Sequence, residues 1–385
     1  MAHDLLATTV LALACLPFVY YLVAADTARR FFRSRRASDS PEELPQVSIL
    51  KPVRGLDRNA FEHFASLCRQ DYPDYEILFA VADENDPAIA VIRHLIEHFP
   101  HRTIRLVVGV PQIGLNSKVN KLCRLARDAR HDLLVVSDSD VSVPPGYLRA
   151  VTAPFREPDV GLVTCLYRGE SDGSLIADLE AIGISTDFVP GVLVAQRIEG
   201  VTFALGATMA VNRSGLAEIG GFEALVEYPG DDFELGRRIA ARGYRVALAA
   251  CVVSTECGAT TLAQFLRHEL RWAVTVRHAR PWGYCGKLLA TQGLPWSVAA
   301  AFVAPSAAVS GAYLVAYLTL RLSLAWIAGA RGLDDEVVRR RWWLVPMWDA
   351  VGFFVTLAAL GTNRIDWRGR YFELQRGKLV ADRRF

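Results

Sequence analysis

Five aspartates stand where apolar segments of the sequence end or a helical segment opens. They are Asp83, Asp138, Asp140, Asp231 and Asp232. Carboxylate oxygens suit Mg²⁺ or Mn²⁺, which bind a few carboxylates together with substrate phosphates. Such a metal would neutralise a diphosphate leaving group, and a further carboxylate could act as a general base. The pattern therefore indicates a metal-assisted site for a diphosphate-bearing substrate.

Each of these groups also has a purely structural interpretation. Aspartates in a turn after a strand cap local backbone groups, and one carboxylate at a helix start serves as an N-cap. Asp86 before Pro87 fits an N-cap, which leaves Asp83 at a strand tip, where an acceptor for a base or a ribose would lie. Spacing alone leaves both interpretations of Asp231 and Asp232 open.

Basic and aromatic side chains supply the complementary charge. Lys118 stands near a predicted helix start, where a lysine could meet a phosphate. A second helix, predicted over 261–278, carries His268, Arg271 and Trp272, and arginine can bind phosphate bidentately. This helix could also lie on a membrane with its cations toward headgroups, and the two interpretations are compatible.

A fold that gathers strand ends is needed to bring these residues together. Apolar strands alternate with helices, which predicts a parallel sheet of Rossmann-like type with ligands at the carboxyl ends of its strands. The sequence has no GxGxxG dinucleotide motif. The predicted strands are 47–51, 75–82, 104–108 and 132–137, and the predicted helices are 61–69, 88–99 and 119–129.

Both ends of the chain predict membrane segments. Residues 5–25 carry no charge, and the arginines that follow oppose a cleaved signal peptide and place that side in the cytoplasm. The stretch 288–320 is also uncharged and predicts one long helix, two spans, or an interfacial helix and a span. Residues 344–361 are apolar except for Asp349, with basic residues on both sides. That last stretch is re-entrant or interfacial if both flanks are cytoplasmic.

The composition agrees with a soluble domain that carries membrane segments. The chain has 385 residues, of which 52% are hydrophobic and 22% charged, and this is too apolar for disorder. The net charge of +2 opposes a dedicated nucleic-acid binder. The seven cysteines form no CxxC pair and fit reduced, mostly buried thiols.

The order of these signals resembles the family-2-type glycosyltransferases of the GT-A fold, and more narrowly the ceramide glucosyltransferase family. The likeness covers essentially the whole chain, and 162–169 and 267–272 resemble a bacterial branch associated with hopanoid glycolipids. The order is Asp83, then Asp138 and Asp140, then Asp231 and Asp232, then Arg271 and Trp272; further similar stretches are 47–52, 70–73, 83–89, 116–120 and 367–371.

The resemblance implies roles at the donor end of the site. Asp83 would contact the uridine of a UDP-sugar. Asp138 would contact it too or hold the metal, and Asp140 would ligate Mn²⁺ or Mg²⁺ beside the diphosphate. Lys118 is a further candidate for substrate binding.

At the acceptor end, the resemblance makes Asp232 the general base for a hydroxyl, with Asp231 as the alternative. Arg271 and Trp272 would help to hold the diphosphate and the acceptor. His268, which also counts as substrate-binding, stands where the family motif has Gln or Arg.

The implied function is an inverting transfer of a hexose from a UDP-sugar to the hydroxyl of a membrane lipid, as in ceramide glucosyltransferases. The alternative acceptor is a hopanoid, bacteriohopanetetrol, that receives N-acetylglucosamine. A processive polysaccharide synthase would need a translocation channel and normally an intact QxxRW motif. A non-catalytic membrane scaffold is disfavoured by the ordered carboxylates.

The implied organisation has four parts and places the protein in a bacterial inner membrane as a multi-pass protein. A transmembrane anchor over 1–27 and a basic juxtamembrane linker over 28–45 precede a GT-A catalytic domain over 46–282 that faces the cytoplasm. A membrane-associated region with transmembrane helices follows over 283–385. Apolar residues in 188–194 and the segment 281–284 are predicted to form the mouth for the lipid acceptor.

Overall fold

The computed structural model describes residues 2–34, 44–367 and 369–381. Half of the predicted juxtamembrane linker, residues 35–43 with Arg35 and Arg36, lies outside these residues, as does Arg368. The strands are β1 Val47–Pro52, β2 Tyr75–Val81, β3 Thr103–Val108, β4 Leu133–Ser137, β5 Val141–Ser142, β6 Val160–Glu170, β7 Thr208–Asn212, β8 Arg245–Glu256, β9 Arg364–Trp367, β10 Arg370–Gln375 and β11 Lys378–Ala381.

The helices include every helix predicted between the first four strands, with bounds that agree within two residues. They are α1 Ala2–Leu13, α2 Leu16–Ser34, α3 Ala60–Cys68, α4 Ala88–His98, α5 Ser117–Asp128, α6 Tyr147–Thr152, α7 Leu175–Gly183, α8 Val189–Glu199, α9 Arg213–Glu218, α10 Asp231–Ala241, α11 Leu262–Ala279, α12 Pro281–Ala290, α13 Gly293–Val303, α14 Ala307–Ala325, α15 Glu336–Arg341 and α16 Val345–Ala358.

Eight strands form one mixed sheet in the order β3-β2-β1-β4-β7-β6-β8-β5. Strands β1 to β4 pair in parallel, which confirms that part of the prediction. The expectation of a parallel sheet is wrong beyond β4, because β7 runs antiparallel to both β4 and β6. The regular alternation of strand and helix on which the expectation rested stops after Ser137.

Helices cover both faces of the sheet, which explains why the sequences of its central strands are continuously apolar. Ile49 of β1 packs with Phe64 of α3 on one face. The next residue, Leu50, packs with Leu122 of α5 and Leu235 of α10 on the other face. The carboxyl ends of β1, β2 and β4 are left at one edge, where the sequence places its acidic residues.

The N-terminal helices and the C-terminal region form a helical layer beside the sheet. Tyr21 of α2, Leu193 of α8 and Leu324 of α14 share one buried cluster. Val189 and Leu193 are fully buried, so this part of 188–194 is core and does not form an open mouth. Trp282, in the other predicted mouth segment, is 88% exposed.

Three helical stretches in the described part of the chain are long and apolar enough to cross a membrane: Asp4–Ser34, Ala307–Gly332 and Glu336–Gly361. The first contains the uncharged stretch 5–25 of the predicted anchor, with a turn at residues 14–15 just before Pro17. The uncharged stretch 288–320 is not one long helix, since α13 and α14 are separated by a turn that contains Pro305.

A buried ion pair joins the last two of these stretches. Arg321 of α14 is 2% exposed, and its Nη2 lies 2.7 Å from Asp349 Oδ1 of α16. Tyr317 donates a hydrogen bond to Asp349, and Arg321 also donates to the Thr186 carbonyl. Arg321 and Asp349 therefore neutralise each other inside the protein, as buried charges require.

After α16 the chain forms a three-stranded antiparallel sheet of β9, β10 and β11, which packs against α11. The sequence predicts only a short tail for this part of the chain. Its buried residues Ile365, Phe372 and Leu374 share a cluster with Val274 of α11.

Candidate functional site

The start of α5 places Lys118 at the centre of the site. Asn116 is the N-cap of this helix, and its side-chain oxygen accepts hydrogen bonds from the backbone N–H groups of Lys118 and Val119. Its Nδ2 donates to the Tyr228 carbonyl at 2.7 Å and lies 3.4 Å from Asp231 Oδ1. One buried asparagine thus fixes both the helix start and the segment that leads to α10.

Lys118 joins two of the predicted acidic groups. Its Nζ lies 2.8 Å from Asp138 Oδ1 and 3.2 Å from Asp231 Oδ2. Burial alone would lower the pKa of Lys118, but the carboxylates of Asp138 and Asp231 raise it above its usual value. Lys118 therefore stays cationic and brings the end of β4 to the start of α10.

The adjacent residues Asp231 and Asp232 have different surroundings. Asp231 is 5% exposed and held by Lys118 and Asn116. Asp232 is half-buried, and its Oδ1 accepts a hydrogen bond from the backbone N–H of Phe233 at 2.8 Å. Burial and the neighbouring Asp231 raise the pKa of Asp232 to about 6. A carboxyl group with this pKa is a stronger base than an ordinary aspartate and still ionised at neutral pH.

Gly206, which the sequence analysis did not single out, lies between the two acidic groups. A Cβ at this position would be 3.2 Å from Asp232 Oδ2, 3.3 Å from Asp138 Oδ2 and 3.6 Å from Lys118 Nζ. Any side chain here would occupy the space between the carboxylates. The need for glycine follows only from the tertiary structure, because nothing near it in the sequence marks it.

Asp140 lies between β4 and the short edge strand β5, which pairs with β8. Its Oδ2 accepts a hydrogen bond from Thr255 at 3.2 Å. Burial and the charges of Asp138 and Asp57 raise the pKa of Asp140 to about 6. Asp138 and Asp140 are both partly exposed, and a divalent cation between the two carboxylates would relieve the repulsion that raises the pKa of Asp140. The donor set is thus suited to Mn²⁺ or Mg²⁺.

Asp83 lies apart from this cluster, at the rim of a neighbouring cavity of about 260 Å³. It is exposed, and its Oδ1 accepts a hydrogen bond from Asn85 N. As predicted, Asp86 caps the next helix by accepting from Ala88 N, and its other oxygen accepts from Gly55 N. The cavity extends from Asp83 to the start of α5, where Ser117 and Lys121 line it.

Comparison with known proteins identifies the family. The model of glycosyl transferase family 21 matches residues 9–380, nearly the whole chain. The chain belongs to glycosyl transferase family 21. This confirms the resemblance drawn from the ordered aspartates.

Relatives of this family-21 chain include ceramide glucosyltransferase 1 of Caenorhabditis elegans, which is 28% identical over 242 residues, or 63% of this chain and 52% of the relative. Ceramide glucosyltransferase 3 of the same organism is 27% identical over 278 residues, which cover 71% of this chain and 60% of the relative. The ceramide glucosyltransferase of Komagataella phaffii is 36% identical over 34% of this chain and 27% of that one. The matches thus span less than two thirds of each relative.

A solved structure supports the fold. A mannosyltransferase from Pyrobaculum calidifontis, in complex with GDP-Man and Mn²⁺, aligns with a TM-score of 0.52 at 17% identity. The alignment covers 91% of this chain and 98% of that one. The likeness confirms the predicted GT-A fold for the family-21 chain.

The (Q/R)xxRW region of this family member lies on α11, which begins after Thr261 as its N-cap. His268 and Trp272, four residues apart, stack with an interplanar angle of 17°, and Trp272 Nε1 donates to His268 Nε2 at 2.6 Å. That geometry makes His268 a neutral acceptor, in agreement with its pKa, which burial and Arg271 lower. The guanidinium of Arg271 lies 5.5 Å from the centre of the Trp272 ring.

Two acidic residues that sequence reasoning missed are Glu269 of α11 and Glu180 of α7. Glu180 of α7 is 5% exposed, and its Oε1 lies 3.6 Å from His268 Nδ1. Burial raises the pKa of Glu180 to about 7, while burial and Glu180 raise the pKa of Glu269 to about 8. No local pattern in the sequence indicates this pair, because each residue occupies an ordinary polar position in the pattern of an amphipathic helix.

Tyr167 of β6 is a third residue that sequence reasoning missed. It is half-buried and packs against Phe188 with ring centres 5.2 Å apart. Burial and the charges of Asp232 and Asp138 raise the pKa of its hydroxyl well above the usual value. Tyr167 therefore packs against Phe188 while it lies near enough to Asp232 and Asp138 for their charges to affect its hydroxyl.

Proposed function

We propose that this protein is a membrane-bound glycosyltransferase that moves a hexose from a UDP-sugar to the hydroxyl of a membrane lipid, as a ceramide glucosyltransferase does. The observation that carries the proposal is the convergence of Asp138, Asp231 and Asp232 around Lys118 in a family-21 chain. The names of its relatives supply the substrate class, a sugar donor and ceramide.

The donor would occupy the cavity beside Asp83 and extend toward Lys118. Asp83 would accept hydrogen bonds from the uridine part, and Lys118 and Arg271 would face the diphosphate. Asp138 and Asp140 would hold Mn²⁺ or Mg²⁺, and when bound the metal neutralises charge on the leaving diphosphate. The mutual repulsion of these two carboxylates is what supports a cation there.

We assign the general base to Asp232 in preference to Asp231. Asp231 is engaged by Lys118 and Asn116, whereas Asp232 directs Oδ2 toward the open space at Gly206. Asp232 would take the proton of the acceptor hydroxyl as its oxygen attacks the anomeric carbon, and UDP would leave from the opposite face. A single displacement of this kind inverts the configuration. Asp231 and Lys118 act as positioning residues.

The helical layer would bring the lipid acceptor to this site. Tyr167 and Phe188 connect the acidic cluster with the apolar helices, and Trp282 is exposed where an interfacial aromatic residue would meet lipid. We place the catalytic domain, residues 46–282, on the cytoplasmic side of a bacterial inner membrane, because arginines follow the N-terminal anchor directly.

We propose further that α16 lies along the membrane surface and does not cross it. Before α16, Arg341 pairs with Asp178 of α7 at 3.3 Å, and after it, Arg277 of α11 donates to the Thr362 carbonyl at 2.9 Å. Both ends of the helix thus contact the catalytic side. Gly183 of α7 supports this packing, since a Cβ there would lie 2.4 Å from the Trp348 ring.

A direct assay tests the proposed function. Detergent-solubilised protein would be incubated with labelled UDP-glucose or UDP-N-acetylglucosamine, each offered with ceramide or bacteriohopanetetrol, with and without EDTA. We expect a labelled glycolipid from UDP-glucose and ceramide that disappears with EDTA. Product from bacteriohopanetetrol and UDP-N-acetylglucosamine alone would favour the hopanoid alternative, and no glycolipid from any pair would refute the proposal.

A further inference from the structure

We propose that the C-terminal sheet, β9 to β11, forms part of the donor-binding site and that Arg370 binds the donor nucleotide. The inference rests on the proposed function, because it concerns the nucleotide of the same donor. It assigns a role to a segment that follows the last apolar helix and lies more than 80 residues beyond α11.

The sheet is fixed to the catalytic domain on several sides. Leu379 of β11 donates a backbone hydrogen bond to the Glu227 carbonyl at 2.7 Å, four residues before Asp231. Arg277 of α11 donates to the Thr362 carbonyl at the start of the tail. Lys378 Nζ lies 5.6 Å from the centre of the Tyr228 ring. These contacts join the tail to the two elements that carry the acidic pair and the Arg271–Trp272 motif.

The core of the sheet continues to the wall of the donor cavity. Phe372 and Leu374 are buried in a cluster that also packs against Leu115, in the loop before α5. Leu115 and Arg370 both line the cavity of about 260 Å³ that contains Asp83. Arg370 is the first residue of β10 and is exposed. The sheet thus places one cation at the cavity from a distant part of the chain.

Charge inside the cavity explains what Arg370 could bind. Two aspartates line the cavity. Both side-chain oxygens of Asp86 accept hydrogen bonds from backbone N–H groups, whereas Asp83 accepts such a bond only through Oδ1, from Asn85 in its own turn. The other oxygen of Asp83 can therefore accept a hydrogen bond from a ligand. Within the described residues, Arg370 takes part in no ion pair. An acceptor and a guanidinium at one cavity match a nucleoside diphosphate, whose base and ribose donate hydrogen bonds and whose phosphates accept them.

The alternative is that the tail only stabilises the domain, and nucleotide affinity distinguishes the two roles. UDP would be titrated into the full-length protein in detergent with Mn²⁺ present, for the wild type, Arg370→Ala and Arg370→Met. The methionine variant keeps an unbranched apolar side chain on β10. Arg376→Ala, in the turn of the same sheet, removes the same charge and serves as the matched control. Unfolding midpoints of all four proteins would be recorded.

We expect both Arg370 variants to bind UDP about tenfold more weakly or worse, and the control to bind within about threefold of the wild type. A parallel titration with uridine assigns the contact, since a loss for UDP alone indicates the phosphates and an equal loss for uridine indicates the nucleoside. Either pattern supports the proposal. Unchanged UDP affinity in both variants would overturn it while leaving the proposed function intact. A wild type that binds no UDP would refute the proposed function itself.

Discussion

Lys118 Nζ lies 2.8 Å from Asp138 Oδ1, which links the start of α5 to the end of β4 across the site. The contact matters because two further carboxylates, Asp231 and Asp232, lie on the other side of the same lysine. Lys118 thereby keeps three carboxylates in one arrangement, and its single positive charge offsets part of their repulsion.

Replacing Lys118 with methionine would move the pH dependence of the reaction. Lys118 lowers the pKa of Asp232, so its removal raises that pKa and shifts the acid limb of kcat/KM to higher pH. The measurement is a pH–rate profile of the variant beside the wild type. Lys121→Met removes a nearby lysine that bonds the Ser117 carbonyl, and it should leave the position of the limb unchanged. An unshifted limb in Lys118→Met would show that Lys118 does not act on the base.

The wild-type profile itself should show an acid limb near pH 6. Asp232 must be deprotonated to accept a proton, and its pKa is raised to about 6, so kcat/KM falls as the pH decreases through this value. The profile would be recorded at saturating metal, because metal-held carboxylates stay ionised and do not contribute to the limb. A rate that is level down to pH 4.5 would contradict the assignment.

Gly206→Ala should impair transfer without unfolding the protein. The added methyl group would lie 3.2 Å from Asp232 Oδ2 and 3.3 Å from Asp138 Oδ2, in the space that the reacting groups need. We expect the transfer rate to fall about tenfold or more, as small displacements of catalytic groups do. Gly146→Ala, where an added Cβ meets no atom within 4 Å, is the control. Equal rates for the two variants would show that a methyl group at position 206 does not crowd the reacting groups.

Breaking the Arg321–Asp349 pair should destabilise the helical layer. Arg321→Ala leaves Asp349 buried without its partner, at a cost of about 3–5 kcal/mol. Thermal unfolding in detergent would report this as a lower midpoint. Arg340→Ala removes an exposed arginine paired at i,i+4 and should change little. A midpoint for Arg321→Ala equal to that of Arg340→Ala would refute a structural role for the pair.

Much of the fold could be predicted from local patterns. The helices and strands from Val47 to Ser137 are confirmed because apolar periodicity records which face each element buries. The antiparallel strand β7 and the tail sheet could not be predicted, because strand pairing depends on contacts between distant segments. Gly206 and Tyr167 were missed for the same reason. Each belongs to the site only because the fold brings it near aspartates that are far away in the sequence.

The order of the five aspartates was informative where their individual positions were not. Asp138, Asp231 and Asp232 meet around Lys118, while Asp83 lies at a neighbouring cavity. The choice between Asp231 and Asp232 stayed open in the sequence because adjacent residues share every local pattern. Only the packing of Asn116 and Lys118 against Asp231 separates the two.

The most direct test of the account is glucosylceramide formation from UDP-glucose and ceramide by purified wild type, Asp232→Asn and Asp231→Asn, with UDP affinity measured in parallel. We predict a β-linked product from the wild type. Asp232→Asn should lose at least about a hundredfold in rate while it binds UDP within about threefold of the wild type. Undiminished transfer by Asp232→Asn would contradict the assignment of Asp232 as the base and with it the proposed mechanism.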